Sequence, residues 1–152
     1  MYNYNEELGN KLNGLLEKTY DAEKGYKKAA ENAKSTELKN FFERRAQERY
    51  NFGHEIKAEL SKIDQKPEKG GSVTGSAHRT WMDVKSWFSS DNDEAMLEAA
   101  ITGEKAALEE YNEVLSKENE PHIPQGMQTV LNKQRSVINH ELKNIQVLED
   151  LS

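Results

Sequence analysis

Apolar and small residues recur every three or four positions along most of this chain, the spacing of helices that each bury one face. Between 6 and 33 the stripe runs through Leu8, Leu12, Leu15, Ala22, Tyr26, Ala29 and Ala33, interrupted by Thr19. Ser35 can cap a second helix at 36–63, whose stripe is Leu38, Phe41, Phe42, Phe52, Ile56, Leu60 and Ile63. The connection between the two is so short that they must be antiparallel neighbours.

Residues 64–76 hold Lys66-Pro67, Gly70-Gly71 and Gly75, which oppose helix and mark a real connection. A short helix is expected at 77–88, with Ala77, Trp81, Val84 and Phe88 on one side. Asp91 and Glu94 have the spacing of a capping box and start a third long helix at 92–117. The turn Glu120-Pro121-His122-Ile123-Pro124-Gln125-Gly126 leads into a fourth at 125–150, carrying Met127, Leu131, Ile138, Leu142, Ile145 and Leu148. The predicted fold is all-α: a four-helix bundle of two antiparallel pairs joined by a long crossover with a short extra helix, forming one domain over 1–152.

The two pairs repeat one another. Leu12, Leu16, Ala22 and Tyr26 match Leu97, Ile101, Ala107 and Tyr111 at an offset of 85. In the second helix of each pair, Arg49, Phe52, His54, Glu55, Ile56 and Lys57 match Arg135, Ile138, His140, Glu141, Leu142 and Lys143 at an offset of 86.

Each stripe defines an inward direction, at roughly 100° of turn per residue, and polar residues lying along it call for an explanation because unpaired buried charge is costly. Glu104 lies in the middle of the stripe formed by Leu97, Ala100, Ile101, Ala107, Leu108, Tyr111 and Leu115, so it is expected to be buried. Its counterpart in the first helix is Thr19, with Glu23 one turn on and about 40° off centre. The second helix turns Arg45 and Arg49 inward with Glu48 at the stripe's edge, and Gln134 is the counterpart of Glu48. His54 and His140 occupy equivalent places well outside their stripes and are expected in solvent.

Charged residues make up 32% of the 152, against 35% hydrophobic, as elongated helices with one solvated face require. Asp and Glu (27) outnumber Lys and Arg (21), and no basic run stands apart from acidic neighbours, so neither nucleic acid nor an anionic membrane is an expected partner. With no cysteine, no apolar run long enough to span a bilayer and no signal-peptide start, a cytoplasmic location is expected. No phosphate-binding glycine loop or nucleophile motif is recognisable.

The run Gly103-Glu104-Lys105-Ala106-Ala107-Leu108-Glu109-Glu110-Tyr111 resembles the third helix of ferritin-like bundles, the superfamily of rubrerythrins and bacterioferritins. The segment His78-Arg79-Thr80-Trp81 is most similar to small bacterial bundle proteins within it. Metal-binding members hold two irons with a Glu from each of two helices and a Glu-x-x-His from each of the others. Carried onto this chain, the resemblance gives Glu104 but Thr19 for its partner, Glu48-x-x-Asn51 for one motif and Gln134-x-x-Val137 for the other. Two carboxylates remain of six ligands, so the resemblance implies the fold without an intact di-iron centre or its enzymatic activity.

The expected interior is therefore a buried charge network, with Arg45 or Arg49 pairing through its rigid fork with Glu104 and with Glu23 or Glu48. No cofactor is expected, and the role is that of a structural or stress-associated interaction module. The alternative is a reduced carboxylate site for iron, manganese or a similar divalent ion at Glu104, Glu48 and Glu23. Self-association into a homodimer would use Trp81, Met82, Trp87 and Phe88, side chains whose commoner use is to cover the bundle.

Overall fold

The computed structural model describes residues 4–67, 92–116 and 123–151. Among these the regular structure is helical throughout: α1 (Tyr4–Asn32), α2 (Thr36–Lys62), α3 (Asp93–Leu115) and α4 (Gln125–Leu151). The four bounds lie within two residues of those the apolar spacing predicts. The short helix expected at 77–88, with His78, Arg79, Trp81, Met82, Trp87 and Phe88, lies outside the described residues, as does the side chain of Leu148. No described helix is long and apolar enough to cross a membrane.

Two apolar layers fix the directions of the helices. One joins the start of α1 (Leu8, Leu12) to the end of α2 (Ile56, Leu60), the end of α3 (Val114) and the start of α4 (Met127). The other joins the end of α1 (Ala29, Ala33) to the start of α2 (Phe42), the start of α3 (Met96) and the far part of α4 (Ile145). Hence α1 and α2 are antiparallel, as are α3 and α4. Contact is most extensive within these pairs and much sparser between α1 and α3 and between α2 and α4.

The ends are held by specific polar groups. Ser35 accepts from the Leu38 amide at 3.3 Å, the N-cap the sequence predicts. At α3 the cap is Asn92, whose Oδ1 accepts from the Ala95 amide at 3.2 Å, and not Asp91 as the capping-box spacing suggests. Asp93 is then used across the fold: its two oxygens accept from the amides of Lys34 and Ser35 at 2.9 and 3.1 Å, tying the α1–α2 turn to the first turn of α3.

Helix α2 ends in a Schellman turn: the Gln65 amide donates to Leu60 and the Asp64 amide to Ser61, with Asp64 in the left-handed region at φ 57°. The chain then lies against α1, where Asn13 donates to the Lys66 carbonyl at 3.1 Å. A Cβ on Gly9 would stand 2.8 Å from Gln65 Cγ, so glycine is what lets the strand-like exit pass this close.

Two predictions follow from the frame. Aspartate tolerates the left-handed region less well than glycine, so Asp64→Gly should stabilise the fold by about 1 kcal/mol, read as a higher urea midpoint at unchanged slope. Asp21 on α1 is only 4% exposed, and its Oδ2 has no hydrogen-bond partner among the described residues. Burial, reinforced by Glu17 and opposed by Lys24 and Lys18, pushes its carboxyl up to about 6. A carboxyl raised on folding stabilises below its unfolded value, and that contribution is lost as pH rises through the folded one. Asp21→Asn should therefore match the parent near pH 4 and exceed it by about 2 kcal/mol at pH 8, measured by urea denaturation at each pH.

Candidate functional site

Between the two apolar layers lies a polar one, buried on all four helices: Thr19 from α1, Arg45 and Arg49 from α2, Glu104 from α3 and Gln134 from α4. Its centre is the pair Arg49–Glu104. Glu104 is 1% exposed and Arg49 3%, and Arg49 Nη2 donates to Glu104 Oε1. The same oxygen accepts from the Tyr26 hydroxyl of α1. The guanidinium carbon lies 5.8 Å from the ring centres of both Tyr26 and Phe52, so aromatic faces line the cation where the carboxylate does not.

The electrostatics keep this arrangement in one protonation state. Burial alone would lower the Arg49 guanidinium, but the Glu104 charge, with Tyr26, Tyr111 and Glu48 adding to it, outweighs burial and holds the group above its ordinary range. Burial, with the adjacent Glu104 charge, holds the Tyr26 phenol well above its ordinary value. Tyr26 is therefore a permanent donor and Arg49 a permanent cation.

Arg45 lies beside this pair, over the Phe41 ring at 5.3 Å. Its Nη2 donates to Glu48 Oε2 at 3.1 Å, and Nη1 is paired with Glu141 of α4. Burial lowers the Arg45 guanidinium and raises the Glu48 carboxyl, each partly offset by the other's charge. Arg45 thus serves α2 and α4, and Arg49 serves α3.

The equivalent site around Tyr111 has a hydroxyl and an amide at its centre in place of the ion pair. The Tyr111 hydroxyl donates to Gln134 Oε1 at 2.6 Å, and Gln134 Nε2 donates to Glu55 Oε1 at 2.9 Å and to the Phe52 carbonyl at 3.4 Å. Thr19, the counterpart of Glu104, donates to the Leu15 carbonyl at 2.8 Å and lies within hydrogen-bonding reach of Tyr111. Burial, above the opposing effect of Arg49, raises the Tyr111 phenol. Arg135, the counterpart of Arg49, lies at the surface, donating to Asn112 at 3.0 Å and Asn132 at 2.6 Å.

The structure brings Arg45, Arg49 and Glu104 into one buried layer, with Glu48 at its margin. It does not bring Glu23 there. Glu23 pairs with Lys27 at 2.9 Å in an outer groove of ≈ 520 Å³ between α1 and α2. Asn51 and Val137 line a second outer groove, of ≈ 390 Å³, between α2 and α4, with Arg44, Glu48, Glu55 and Lys133. His54 and His140 are exposed, with His54 edge-on to Tyr50 at 4.5 Å. Among the described residues no three or more Asp, Glu or His groups come together in a way that could hold a metal ion.

Two participants escape the sequence reading. Glu141 was set beside outward-facing His140 by the repeat, yet it lies three residues from Ile138 and four from Ile145, which is the signal that it borders the buried stripe. Tyr26 reads as one more apolar stripe residue, although tyrosine in place of phenylalanine at an inward position announces a hydroxyl in need of a partner.

A protein-family model described as "Domain of unknown function (DUF2383)" matches residues 7–117. The matched span includes Tyr26, Arg45, Glu48, Arg49 and Glu104, and stops before Gln134 and Glu141 of α4. No curated protein and no solved structure matches the chain.

Removing one member of a buried ion pair leaves the other uncompensated and costs about 3–5 kcal/mol, whereas removing both charges costs far less. Glu104→Gln should therefore lower stability by about 3–5 kcal/mol. Adding Arg49→Met should restore most of the loss, because the amide still accepts from Tyr26 and neither member of the pair is left as a stranded charge. Urea midpoints of the two single variants and the double form the cycle that reads this coupling.

Proposed function

The chain belongs to the DUF2383 family, whose description carries no activity, and on that premise we propose that it is a ferritin-like bundle built as a structural or interaction module, with arginine supplying the positive charge at its centre. The observation that carries this reading is the Arg49 guanidinium seated on Glu104. The inward carboxylate that the ferritin-like resemblance would assign to a metal already has a cation and a phenol as partners. Thr19, Asn51, Gln134 and Val137, which stand where that resemblance would need further ligands, offer a hydroxyl, two amides and an alkyl group.

The positions of the helix ends support the ferritin-like topology. The end of α2 lies against the start of α1, through Asn13 and Gly9, while the start of α3 lies at the α1–α2 turn, through Asp93. The connection between α2 and α3 thus has its two ends at opposite ends of the bundle, as the long crossover requires.

Protein purified without a histidine tag, exposed to iron(II) and manganese(II) and then desalted, should retain well under one metal per chain by elemental analysis. It should also show no iron(II) oxidation above buffer and an unfolding temperature unmoved by EDTA. Stoichiometric metal that raises the unfolding temperature would overturn the proposal in favour of a carboxylate metal site.

A further inference from the structure

A small cavity of ≈ 20 Å³ lies in the polar layer on the α1–α3 side, lined by Thr19, Arg49 and Tyr111 together with Leu15, Ala22 and Ile138. Lys18 and Glu110 also border it and pair with one another across the gap between α1 and α3. Its place in the repeat explains it. Tyr111 approaches Thr19 as Tyr26 approaches Glu104, and a threonine is shorter than a glutamate by one carboxyl group, so the space a carboxylate fills in one half is left over in the other.

The lining has an unmet polar requirement. Arg49 is 3% exposed, and its Nε–H has no acceptor among the described residues. Its Nη2 is committed to Glu104. Thr19 Oγ1 spends its proton on the Leu15 carbonyl and Tyr111 Oη spends its own on Gln134, so both oxygens keep lone pairs to accept with. A buried guanidinium N–H without an acceptor is costly, and neither hydroxyl oxygen accepts from it directly.

We propose that this cavity is a binding site for one resident water molecule, which accepts from Arg49 Nε–H and donates to Thr19 Oγ1 and Tyr111 Oη. The volume suits one water, and three partners is the usual complement of a buried one. The apolar walls and the Lys18–Glu110 pair at the rim leave no room for a larger ligand. The water joins the ion-paired site, Tyr26–Glu104–Arg49, to the site around Tyr111 and Gln134, so that one hydrogen-bonded network crosses all four helices. The inference rests on the arginine-centred reading, and the two fail separately: metal retained at Glu104 would overturn that reading, whereas a dry cavity with Arg49 still on Glu104 would overturn this inference alone.

The test is water–protein cross-relaxation in the ¹⁵N-labelled full chain, read at the Arg49 Nε–H resonance, together with a crystal structure at a resolution that defines waters. A direct cross-peak to a long-lived water, and one water within hydrogen-bonding distance of Arg49 Nε, Thr19 Oγ1 and Tyr111 Oη, is the expected result. Thr19→Val, which removes the hydroxyl at nearly constant volume, should abolish the cross-peak and lower the urea midpoint, while Thr19→Ser should keep both. A dry or collapsed cavity in the parent, or a cross-peak that survives Thr19→Val unchanged, overturns the proposal. If Thr19→Val does not fold, the parent spectrum and the Thr19→Ser variant decide, and loss of the water in Thr19→Ser counts against it.

Discussion

The fold turns on a pair of opposite charges that must find one another in a place without water. Glu104 on α3 and Arg49 on α2 sit between two apolar layers. Neither would be tolerated there alone, because an uncompensated buried charge costs several kcal/mol, a large fraction of the stability of a domain this size. Apolar stripes by themselves permit many registers between four similar helices. A register that slides α2 past α3 by one turn keeps apolar side chains on apolar side chains, yet separates the guanidinium from the carboxylate. The pair therefore penalises misaligned packings far more than it rewards the aligned one, which is how a polar layer selects a single structure from a set of nearly equivalent apolar ones.

That constraint also accounts for the asymmetry of the repeat. Arg49 in the first half faces Glu104 in the second, and the equivalent pair of positions, Arg135 and Thr19, carries no inward charge. Thr19 stands in place of the carboxylate, and Arg135 has its side chain at the surface on Asn112 and Asn132. Losing one partner alone would have stranded the other, whereas losing both leaves a neutral site that Tyr111 and Gln134 satisfy by hydrogen bonds. Arg45 follows the same rule by pairing outward from the central pair, with Glu48 on its own helix and Glu141 on α4. The sparsely packed α2–α4 seam is thus crossed by polar links: Arg45 to Glu141 at one level, and Gln134 to Glu55 and the Phe52 carbonyl at another.

Much of this was legible in the sequence because helical spacing reports burial directly. The stripes gave the four helices, and the centred positions of Glu104, Arg45, Arg49 and Thr19 told which polar residues point inward. What periodicity reports is an angle about one helix axis, not the neighbour on the far side of that angle. Glu23 lies only about 40° from the middle of its stripe, but that offset carries it over the α1–α2 edge into a groove with Lys27. Glu141 errs the other way, reaching Arg45 from the border of its stripe. Asp91 and Asn92 are both competent caps, and the choice falls on Asn92 because Asp93 is wanted by the amides of Lys34 and Ser35, a tertiary demand that local spacing does not carry.

A centre of this kind has a chemical consequence. Acid–base and redox sites work because a group can change its charge or its ligands during turnover, and their environments hold such groups near a balance point. Here the environment does the reverse. The phenol of Tyr26 is driven further from ionisation, the guanidinium of Arg49 is fixed as a cation, and Oε1 of Glu104 is shared between them. An interior held this far from any second state is suited to keeping four helices in register.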